Sequence, residues 1–247
     1  MSLLKRWLLA FVAPKPLIGA LYLPRYARDL LAYRRMATGQ GRPALGDTYP
    51  CLTDWTPSTQ FDAHYFHQGA WLAGCLRDTA PDLHVDIGSS VMMVGVLCAQ
   101  VPVLFVDYRP LNVCIPGLLS VAGDIKRLPF ADGSVASISS LHVLEHIGLG
   151  RYGDPLDSQG SVRGAAELAR VLAPGGRLYV SVPTGRDQTC FNAHRVFSPP
   201  ALRSLFPDLL LQGFALVDDE GKFDPDARFE SGQHLEYGCG MYIFSKR

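Results

Sequence analysis

The fold is decided by four short motifs that follow one another between Leu83 and Pro183. They are His84-Val85-Asp86-Ile87-Gly88-Ser89-Ser90, then Phe105-Val106-Asp107, then Gly123-Asp124-Ile125-Lys126-Arg127-Leu128-Pro129-Phe130, then His142-Val143-Leu144-Glu145-His146, which leads on to Pro174-Gly175-Gly176. Apolar runs of strand length alternate here with helical stretches, which is typical of parallel β-α-β units. The sequence therefore predicts a doubly wound, Rossmann-like α/β sheet.

The same alternation predicts where each element lies. We expect strands near residues 83–87, 102–106, 119–122, 135–141, 177–182, 210–218 and 236–245. We expect helices near residues 61–77, 90–99, 143–148, 160–172 and 199–206. The segment Thr38 to Ser58 is rich in Gly, Pro, Thr and Asp, which is typical of a linker. Residues 1–58 are therefore predicted to form N-terminal helices and a linker, and residues 59–247 a single α/β domain.

Charge and cysteine content narrow the class of partner and the compartment. The chain of 247 residues carries 23 basic and 23 acidic residues, so its net charge does not favour a nucleic acid as partner. Its six cysteines are spread widely and form no C-x-x-C pair. This pattern predicts reduced cysteines in the core of a cytoplasmic protein.

The N-terminal region combines basic and apolar residues. The run Leu3 to Ala13 begins like a signal peptide, but it is too short to span a bilayer and Pro14-Lys15-Pro16 interrupts it. The stretch Tyr22 to Met36 resembles an amphipathic basic helix. It is expected either to pack on the domain, which we favour, or to make a peripheral contact with an anionic membrane surface.

The first motif is a candidate cofactor-binding turn. In an open parallel sheet, ligands bind outside the carboxyl ends of the strands. Gly88 allows a sharp turn there and leaves room for a ligand against the main chain, while Ser89 and Ser90 are expected to cap the next helix. Asp86, Gly88, Ser89 and Ser90 are the candidate cofactor contacts. An ordinary strand-turn-helix junction favours the same residues.

Two further acidic residues follow the next two strands. Asp107 lies 21 residues after Asp86, close to the spacing at which a carboxylate accepts hydrogen bonds from ribose hydroxyls. Asp124 is a candidate acceptor for an adenine amine, with the backbone of Ile125 beside the ring. The alternative for each aspartate is a turn or capping role.

The segments Asp124–Phe130, Val135–His146 and Glu167–Gly176 resemble the class I S-adenosylmethionine-dependent methyltransferases. The similarity covers about residues 83–183. A closer likeness, carried by Phe61–Phe66 and Gly148–Pro155, is to an uncharacterised family of methyltransferase-like proteins. The resemblance implies a mostly parallel seven-stranded sheet with an antiparallel last strand.

The resemblance also assigns roles to the acidic and glycine positions. It implies S-adenosylmethionine as cofactor, with Gly88 beside the methionine moiety, Asp107 on the ribose and Asp124 near adenine. This chain departs from the glycine-rich loop of those enzymes, because it has Ser90 and Met92 where they usually have glycines.

Three residues near the expected methyl-transfer centre are candidate catalytic groups. His142 ends the fourth strand, and its unperturbed pKa near neutrality suits removal of a proton from an acceptor hydroxyl. Hydrogen bonding to a neighbouring loop is the alternative role. His194 and Arg195 follow the fifth strand and are second-choice catalytic or substrate-binding residues.

The string His142 to His146 also fits the H-x-x-E-H pattern of inverted zinc proteases. Such a site needs the whole string on one helix, whereas the first histidine here follows the strand Val135 to Leu141. We therefore predict no metal at this string.

The loop Gly150 to Asp157 is the candidate substrate-binding segment. Arg151, Tyr152 and Asp154 are expected to bind a small or glycan-like acceptor, although a structural Asp-Pro turn explains the same residues. The sequence predicts methyl transfer to an oxygen or nitrogen of such an acceptor. The rivals are a non-catalytic nucleotide-binding or scaffold module and, less favoured, an NAD-linked oxidoreductase, which the missing G-x-G-x-x-G motif disfavours. The sequence gives no oligomeric state.

Overall fold

The computed structural model describes residues 18–247, apart from the side chain of Gln40. The described residues up to Phe61 form one compact unit, and Asp62–Arg247 form another. The predicted apolar segment Leu3 to Ala13 lies outside the described residues. None of the described helices is long and apolar enough to cross a membrane.

Among the described residues of the first unit, the longest helix is α1, at Leu23–Met36. Pro24 stands in its first turn, where a missing N–H is not needed, and Arg34 and Arg35 lie in its last turn. No residue of α1 is buried. Two short 3-10 turns follow, at Gly39–Gly41 and Leu45–Asp47, in the segment predicted to be a linker.

The second unit alternates strands and helices. Its strands are β1 His84–Ile87, β2 Val103–Asp107, β3 Leu118–Ala122, β4 Val135–Leu141, β5 Leu172–Thr184, β6 Gln188–Cys190, β7 His194–Val196, β8 Leu209–Val217, β9 Phe223–Asp224 and β10 Gly238–Lys246. Its helices are α2 Ala63–Thr79, α3 Val91–Leu97, α4 Gly160–Val171 and α5 Pro199–Ser204. Two 3-10 helices lie at Leu144–His146 and Phe229–His234.

The main sheet has the strand order β3-β2-β1-β4-β5-β10-β8-β9. Strands β3, β2, β1, β4 and β5 pair in parallel, whereas β10 is antiparallel to both β5 and β8. This is the predicted arrangement of seven strands with an antiparallel last strand. The two-residue strand β9 adds an eighth. Chain order reverses at β1, which places the expected ligand crevice beyond its carboxyl end.

Helices cover both faces of the sheet. Successive residues of a strand point to opposite faces, so each face carries apolar side chains that a helix can bury. On β2, Phe105 packs in the core that includes Leu72 of α2, while Val106 packs in the core that includes Leu168 of α4. Both cores are fully buried at these positions. The doubly wound architecture is therefore confirmed.

Expectations for one helix, one strand and two cysteines were wrong, and one hairpin was not predicted. The helix predicted for 143–148 is only a 3-10 turn, because the backbone becomes extended at Ile147 and left-handed at Gly148 (φ +80°). The fifth strand begins at Leu172, so Pro174-Gly175-Gly176 lies within it and not between the elements. The β6–β7 hairpin was not predicted. The cysteines are all free, but Cys51 and Cys114 are exposed and not in the core.

Candidate functional site

The carboxyl ends of β1, β2, β3 and β4 surround a cavity of about 410 Å³. Nine of the predicted site residues line it: Gly88, Ser89, Ser90, Asp107, Asp124, Ile125, His142, Tyr152 and Asp154. Four others, Asp86, Arg151, His194 and Arg195, are not part of its wall. The topology thus brings together most of the residues that the sequence singled out.

Gly88 makes the turn between β1 and α3. Its φ is +69°, a conformation that favours glycine, and its N–H donates to the carbonyl of Val106 at 2.9 Å. A Cβ at this position would lie 3.3 Å from Val143 and 3.5 Å from Asp107 Oδ2. The bare main chain therefore keeps open the space between the ends of three strands.

The two serines of this turn do not cap α3 through their hydroxyls, contrary to expectation. The N-cap residue is Ser90, and its side chain makes no capping hydrogen bond. The hydroxyl of Ser89 instead accepts from the N–H of Leu141 at 2.9 Å. Ser89 therefore ties the β1 turn to the end of β4, which fixes one wall of the cavity.

Asp86 lies beneath the turn and not on the cavity wall. Its carboxylate accepts from the Ser89 N–H at 3.1 Å and from the Ser139 hydroxyl at 2.5 Å. Burial is the main cause that raises the pKa of Asp86 to about 6. A side chain in this place supports the turn from behind, which is a positioning role and not the predicted cofactor contact.

His84 completes a buried polar network with Asp86. Its Nε2 lies 2.9 Å from the Ser139 hydroxyl and its Nδ1 lies 2.8 Å from the Ser137 hydroxyl. Since Ser139 donates its proton to Asp86, its oxygen accepts from Nε2–H, and Nδ1 accepts from Ser137. Burial lowers the pKa of His84 to about 4, so the imidazole is neutral at physiological pH.

Asp107 and Asp124 line the cavity and also stabilise turns. Asp107 Oδ1 accepts from the N–H of Arg109 at 2.7 Å, and Asp124 Oδ1 accepts from the N–H of Lys126 at 2.9 Å. The turn role and the wall position thus coexist at both residues. Ile125, beside Asp124, is buried and forms an apolar part of the wall.

His142 is held in a strained backbone conformation where β4 meets the cavity. Its Nδ1 lies 2.8 Å from Glu145 Oε1, and its ring stacks on that of Tyr65 at 5.4 Å. Burial lowers the pKa of His142, but Cys239 and Glu145 raise it by more, to about 10. A protonated imidazole has no lone pair to accept a proton, so the predicted base role requires that this proton leave first.

The H-x-x-E-H string does not form a helical metal site. Its residues occupy a strand end and a 3-10 turn, and both histidines approach the Glu145 carboxylate, His142 at 2.8 Å and His146 at 3.6 Å. The Nδ1 of His146 is 2.7 Å from the carbonyl of Ala193. Burial is the largest cause that lowers the pKa of His146.

His194 and Arg195 lie in the β6–β7 hairpin, beside the cavity but not on its wall. The guanidinium of Arg195 donates to the carbonyl of Ile147 at 2.8 Å and to the hydroxyl of Ser161 at 3.0 Å. It therefore holds the turn that carries His146. His194 packs against Tyr237, with ring centroids 4.9 Å apart, and burial lowers its pKa.

The predicted substrate loop is closed on itself by Asp154. This carboxylate accepts from the N–H groups of Gly148 at 2.8 Å and Tyr152 at 3.3 Å. Partial burial raises the pKa of Asp154, but these backbone hydrogen bonds outweigh it and lower the net value. The structural-turn role is thus present, while the ring of Tyr152 lines the cavity and lies 5.0 Å from the Arg109 guanidinium. Arg151 instead donates to the carbonyl of Ala193.

Sequence analysis missed Tyr65, Val143 and Glu145. Tyr65 lines the cavity from the first turn of α2, which Asp62 caps by accepting its N–H at 3.1 Å. The sequence predicted the helix that carries Tyr65, but it gave no reason to assign the side chain to the cavity. Glu145 is buried beside His142, and only the H-x-x-E-H string contained a signal for it.

Known proteins resemble part of this chain in sequence and most of it in fold. Residues 129–227 match the family described as "Caenorhabditis protein of unknown function, DUF268". A demethylmenaquinone methyltransferase of Beutenbergia cavernae is 39% identical over 66 residues, which are 27% of this chain and 23% of that protein. The chain therefore matches less than a quarter of that relative's length.

Two solved structures share the architecture over most of both chains. The N-methyltransferase NodS of Bradyrhizobium japonicum WM9, in complex with S-adenosyl-L-homocysteine, superposes with a TM-score of 0.54 and 16% identity, covering 89% of this chain and 97% of that one. A TehB-like S-adenosylmethionine-dependent methyltransferase of Corynebacterium glutamicum gives a TM-score of 0.50 and 15% identity, covering 94% and 100%. The fold is that of S-adenosylmethionine-dependent methyltransferases, as the sequence predicted.

Proposed function

We propose that this chain, which has a methyltransferase fold, binds S-adenosylmethionine and transfers its methyl group to an oxygen or nitrogen of a small or glycan-like acceptor. One observation carries the proposal. The glycine turn after β1 and the carboxylates after β2 and β3 line a single cavity at the point where strand order reverses.

The residues around this cavity fit the cofactor chemically. The Asp107 carboxylate suits the ribose diol, since it accepts two hydrogen bonds at once, and Asp124 suits the exocyclic amine of adenine. The space that a Cβ on Gly88 would fill suits the methionine moiety. When bound, the cofactor supplies a methyl group that is already activated, so the protein mainly provides alignment.

The departure from the usual glycine pattern leaves the cavity open. Met92 is 78% exposed and is not part of the cavity wall, while Ser90 contributes to the wall without closing it. This placement supports cofactor binding over a scaffold whose own side chains fill the cleft.

Aromatic and polar groups around the cavity support the choice of acceptor. The rings of Tyr65 and Tyr152 and the imidazole of His146 line the same cavity, and His146 packs edge-on against Tyr152 with ring centroids 5.6 Å apart. Aromatic faces offer apolar surface to a sugar or amine ring, while the phenol and imidazole groups bind its hydroxyls. We propose that His142, which lines the cavity and stacks on the ring of Tyr65, contacts the acceptor atom.

The test is binding of S-adenosyl-L-homocysteine by calorimetry, followed by transfer of a labelled methyl group into sugars and amines. Asp107→Ala removes the proposed ribose contact and is expected to weaken binding by about 10- to 100-fold, because hydrogen bonds to a charged group contribute about 1.5–3 kcal/mol. Asp208→Ala removes an exposed carboxylate away from the cavity and should leave affinity unchanged. No binding heat in the wild-type protein would overturn the proposal.

A non-catalytic binding module is the second candidate, and one observation favours it. The Nδ1 of His142 is held by the Glu145 carboxylate at 2.8 Å, and, against the effect of burial, Cys239 and Glu145 raise the pKa of this imidazole, which disfavours a base role at the expected catalytic position. Binding that depends on Asp107, with no methyl transfer to any acceptor class, would support the binding module over the enzyme.

A further inference from the structure

Three potential metal ligands from distant parts of the chain meet beside the cavity. They are His64 in the first turn of α2, His142 at the end of β4 and Cys239 in β10. Their ligand atoms all lie within 4.8 Å of one another, and they form the one such group among residues 18–247. Cys239 is fully buried and His142 nearly so.

This donor set has the chemistry of a transition-metal site. Two imidazole nitrogens and a thiolate are the ligands that zinc prefers, and three protein ligands with one open position are typical of catalytic zinc. Zinc bonds of about 2.0–2.3 Å place tetrahedral ligand atoms about 3.3–3.6 Å apart. Since no pair is farther apart than 4.8 Å, the ligand atoms have to approach by at most roughly 1.5 Å, which side-chain rotation at half-buried His64 allows.

A second observation points independently to a ligand at this place. The Nε2 of His142 is buried and makes no hydrogen bond of normal geometry with any described residue, and the polar group beside it is the Cys239 thiol. Its other ring nitrogen, Nδ1, lies 2.8 Å from the buried carboxylate of Glu145. A histidine that binds a metal through one ring nitrogen usually donates a hydrogen bond from the other nitrogen to a carboxylate, which fixes the orientation of the ring.

We propose that His64, His142 and Cys239 bind one zinc ion, with Glu145 orienting His142. Zinc displaces the proton from Nε2 of His142 and the proton of the Cys239 thiol, and both protons are released to solvent. Because His142 also lines the cavity, the ion would lie at the cavity wall, next to the proposed acceptor region. The proposal departs from the sequence-based expectation of no metal, and it uses a different residue set from the H-x-x-E-H string. It does not depend on methyl transfer, since zinc binding is measured without cofactor or acceptor.

The competing explanation is aromatic packing without a metal. The rings of His64 and His142 are nearly parallel, 15° apart in orientation, with centroids separated by 5.5 Å. The ring of Tyr237 stacks on the ring of His64, with centroids 5.4 Å apart. If aromatic packing is the whole role, the cluster binds zinc no more tightly than an ordinary surface histidine does.

The experiment uses the full chain without an affinity tag, stripped of metal with a chelator. Zinc is titrated in competition with a chromogenic chelator, and cobalt(II) is added separately as a spectroscopic probe. We expect one equivalent of zinc and a near-ultraviolet sulfur-to-cobalt charge-transfer band. Cys239→Ser should abolish that band, and Glu145→Gln should weaken zinc binding by about 10- to 100-fold, as loss of a second-shell partner does.

Matched variants separate the site from general effects. His64→Ala should weaken zinc binding at least as much as Glu145→Gln, whereas His67→Ala on the same helix should not. Cys98→Ser changes another buried cysteine and should retain the charge-transfer band. Thermal unfolding verifies that each variant is folded. Absence of tight zinc binding in the wild-type protein, or a cobalt band that survives Cys239→Ser in a folded variant, would overturn the proposal.

Discussion

At the scale of single residues, the least expected feature is a carboxylate enclosed in the core. Asp86 is fully buried, and Ser139 and the backbone of Ser89 donate hydrogen bonds to it. Burial without a cationic partner disfavours the charged form of a carboxyl group, which is why its pKa is raised to about 6. Its ionisation therefore opposes folding while its hydrogen bonds shape the turn.

This ionisation predicts a pH dependence of stability. Because the folded pKa of about 6 exceeds the ordinary pKa of 3.8 in the unfolded chain, the penalty is absent below pH 3.8, grows as pH rises to about 6, and is constant above that. Relative to Asp86→Asn, the wild-type free energy of unfolding should fall by about 3 kcal/mol across this window. Chemical denaturation of both proteins from pH 3.5 to 8 measures it. A difference that does not vary with pH would contradict the prediction.

The comparison with Asp86→Asn also removes the contribution of His84. The lowered pKa of that imidazole has the opposite effect, because its stabilising contribution is present above pH 6.5 and is lost as pH falls towards 4. His84 is present in both proteins, so its titration cancels in the difference.

Gly88 gives a second prediction at this scale. Gly88→Ala adds a Cβ 3.3 Å from Val143 at a residue with φ +69°, so we expect a loss of about 1–2 kcal/mol of stability from the backbone alone. Crowding of the cofactor space should also weaken S-adenosyl-L-homocysteine binding by about tenfold or more, or 1.4 kcal/mol.

Gly175 offers a matched control for that experiment. It has a similar φ of +73°, but a Cβ there would meet nothing within 4 Å. Gly175→Ala should therefore show a similar stability loss in thermal unfolding with unchanged affinity in calorimetry. Equal loss of affinity in both variants would show that backbone strain, and not access to the cavity, is responsible.

At the scale of secondary-structure elements, the 3-10 turn Leu144–His146 and the β6–β7 hairpin act together. Arg195 in the hairpin donates to the Ile147 carbonyl and the Ser161 hydroxyl, and the carbonyl of Ala193 lies 2.7 Å from His146. These contacts hold a short, irregular segment that has little helical hydrogen bonding of its own. The geometry of His142 and Glu145 therefore depends on a hairpin that lies some fifty residues later in the chain.

The element α1 carries the prediction of membrane contact. Leu31, Tyr33 and Met36 are more than half exposed, and Arg34 and Arg35 stand in the last turn. Arg34→Gln with Arg35→Gln should weaken binding to vesicles containing phosphatidylserine by about 1 kcal/mol per arginine. Vesicle sedimentation measures this.

The control for α1 removes two exposed arginines elsewhere. Arg77→Gln with Arg186→Gln lowers the net charge equally and should leave vesicle binding unchanged. Equal sedimentation with uncharged phosphatidylcholine vesicles, or no effect of the α1 substitutions, would favour the alternative in which α1 only packs on protein.

At the scale of the whole molecule, parallel strand order creates the site. Strands β1, β2 and β3 are separated along the chain by helices and loops, yet they are neighbours in the sheet and end at the same edge. Gly88 and Asp124 follow β1 and β3, and Asp107 is the last residue of β2. Their convergence is therefore a direct consequence of the topology and needs no special local conformation beyond the turn at Gly88.

For this reason the sequence alone determined the sheet, its antiparallel last strand and the carboxylates at its edge. Alternating apolar runs specify which segments pair and which faces are buried, and a residue that directly follows a parallel strand has a predictable place. The sequence did not predict that Asp86 lies behind the cavity wall, that the Met92 side chain is exposed, or that Arg195 supports the backbone of the turn. Those outcomes depend on how neighbouring elements pack.

Only the tertiary structure brought His64, His142 and Cys239 together. These residues lie in a helix, a strand end and an antiparallel strand, and no spacing along the chain relates them. Their meeting depends on α2 packing on a face of the sheet and on β10 inserting beside β5. Periodicity reports which face a residue occupies, but proximity between distant segments is fixed by packing and strand order in three dimensions.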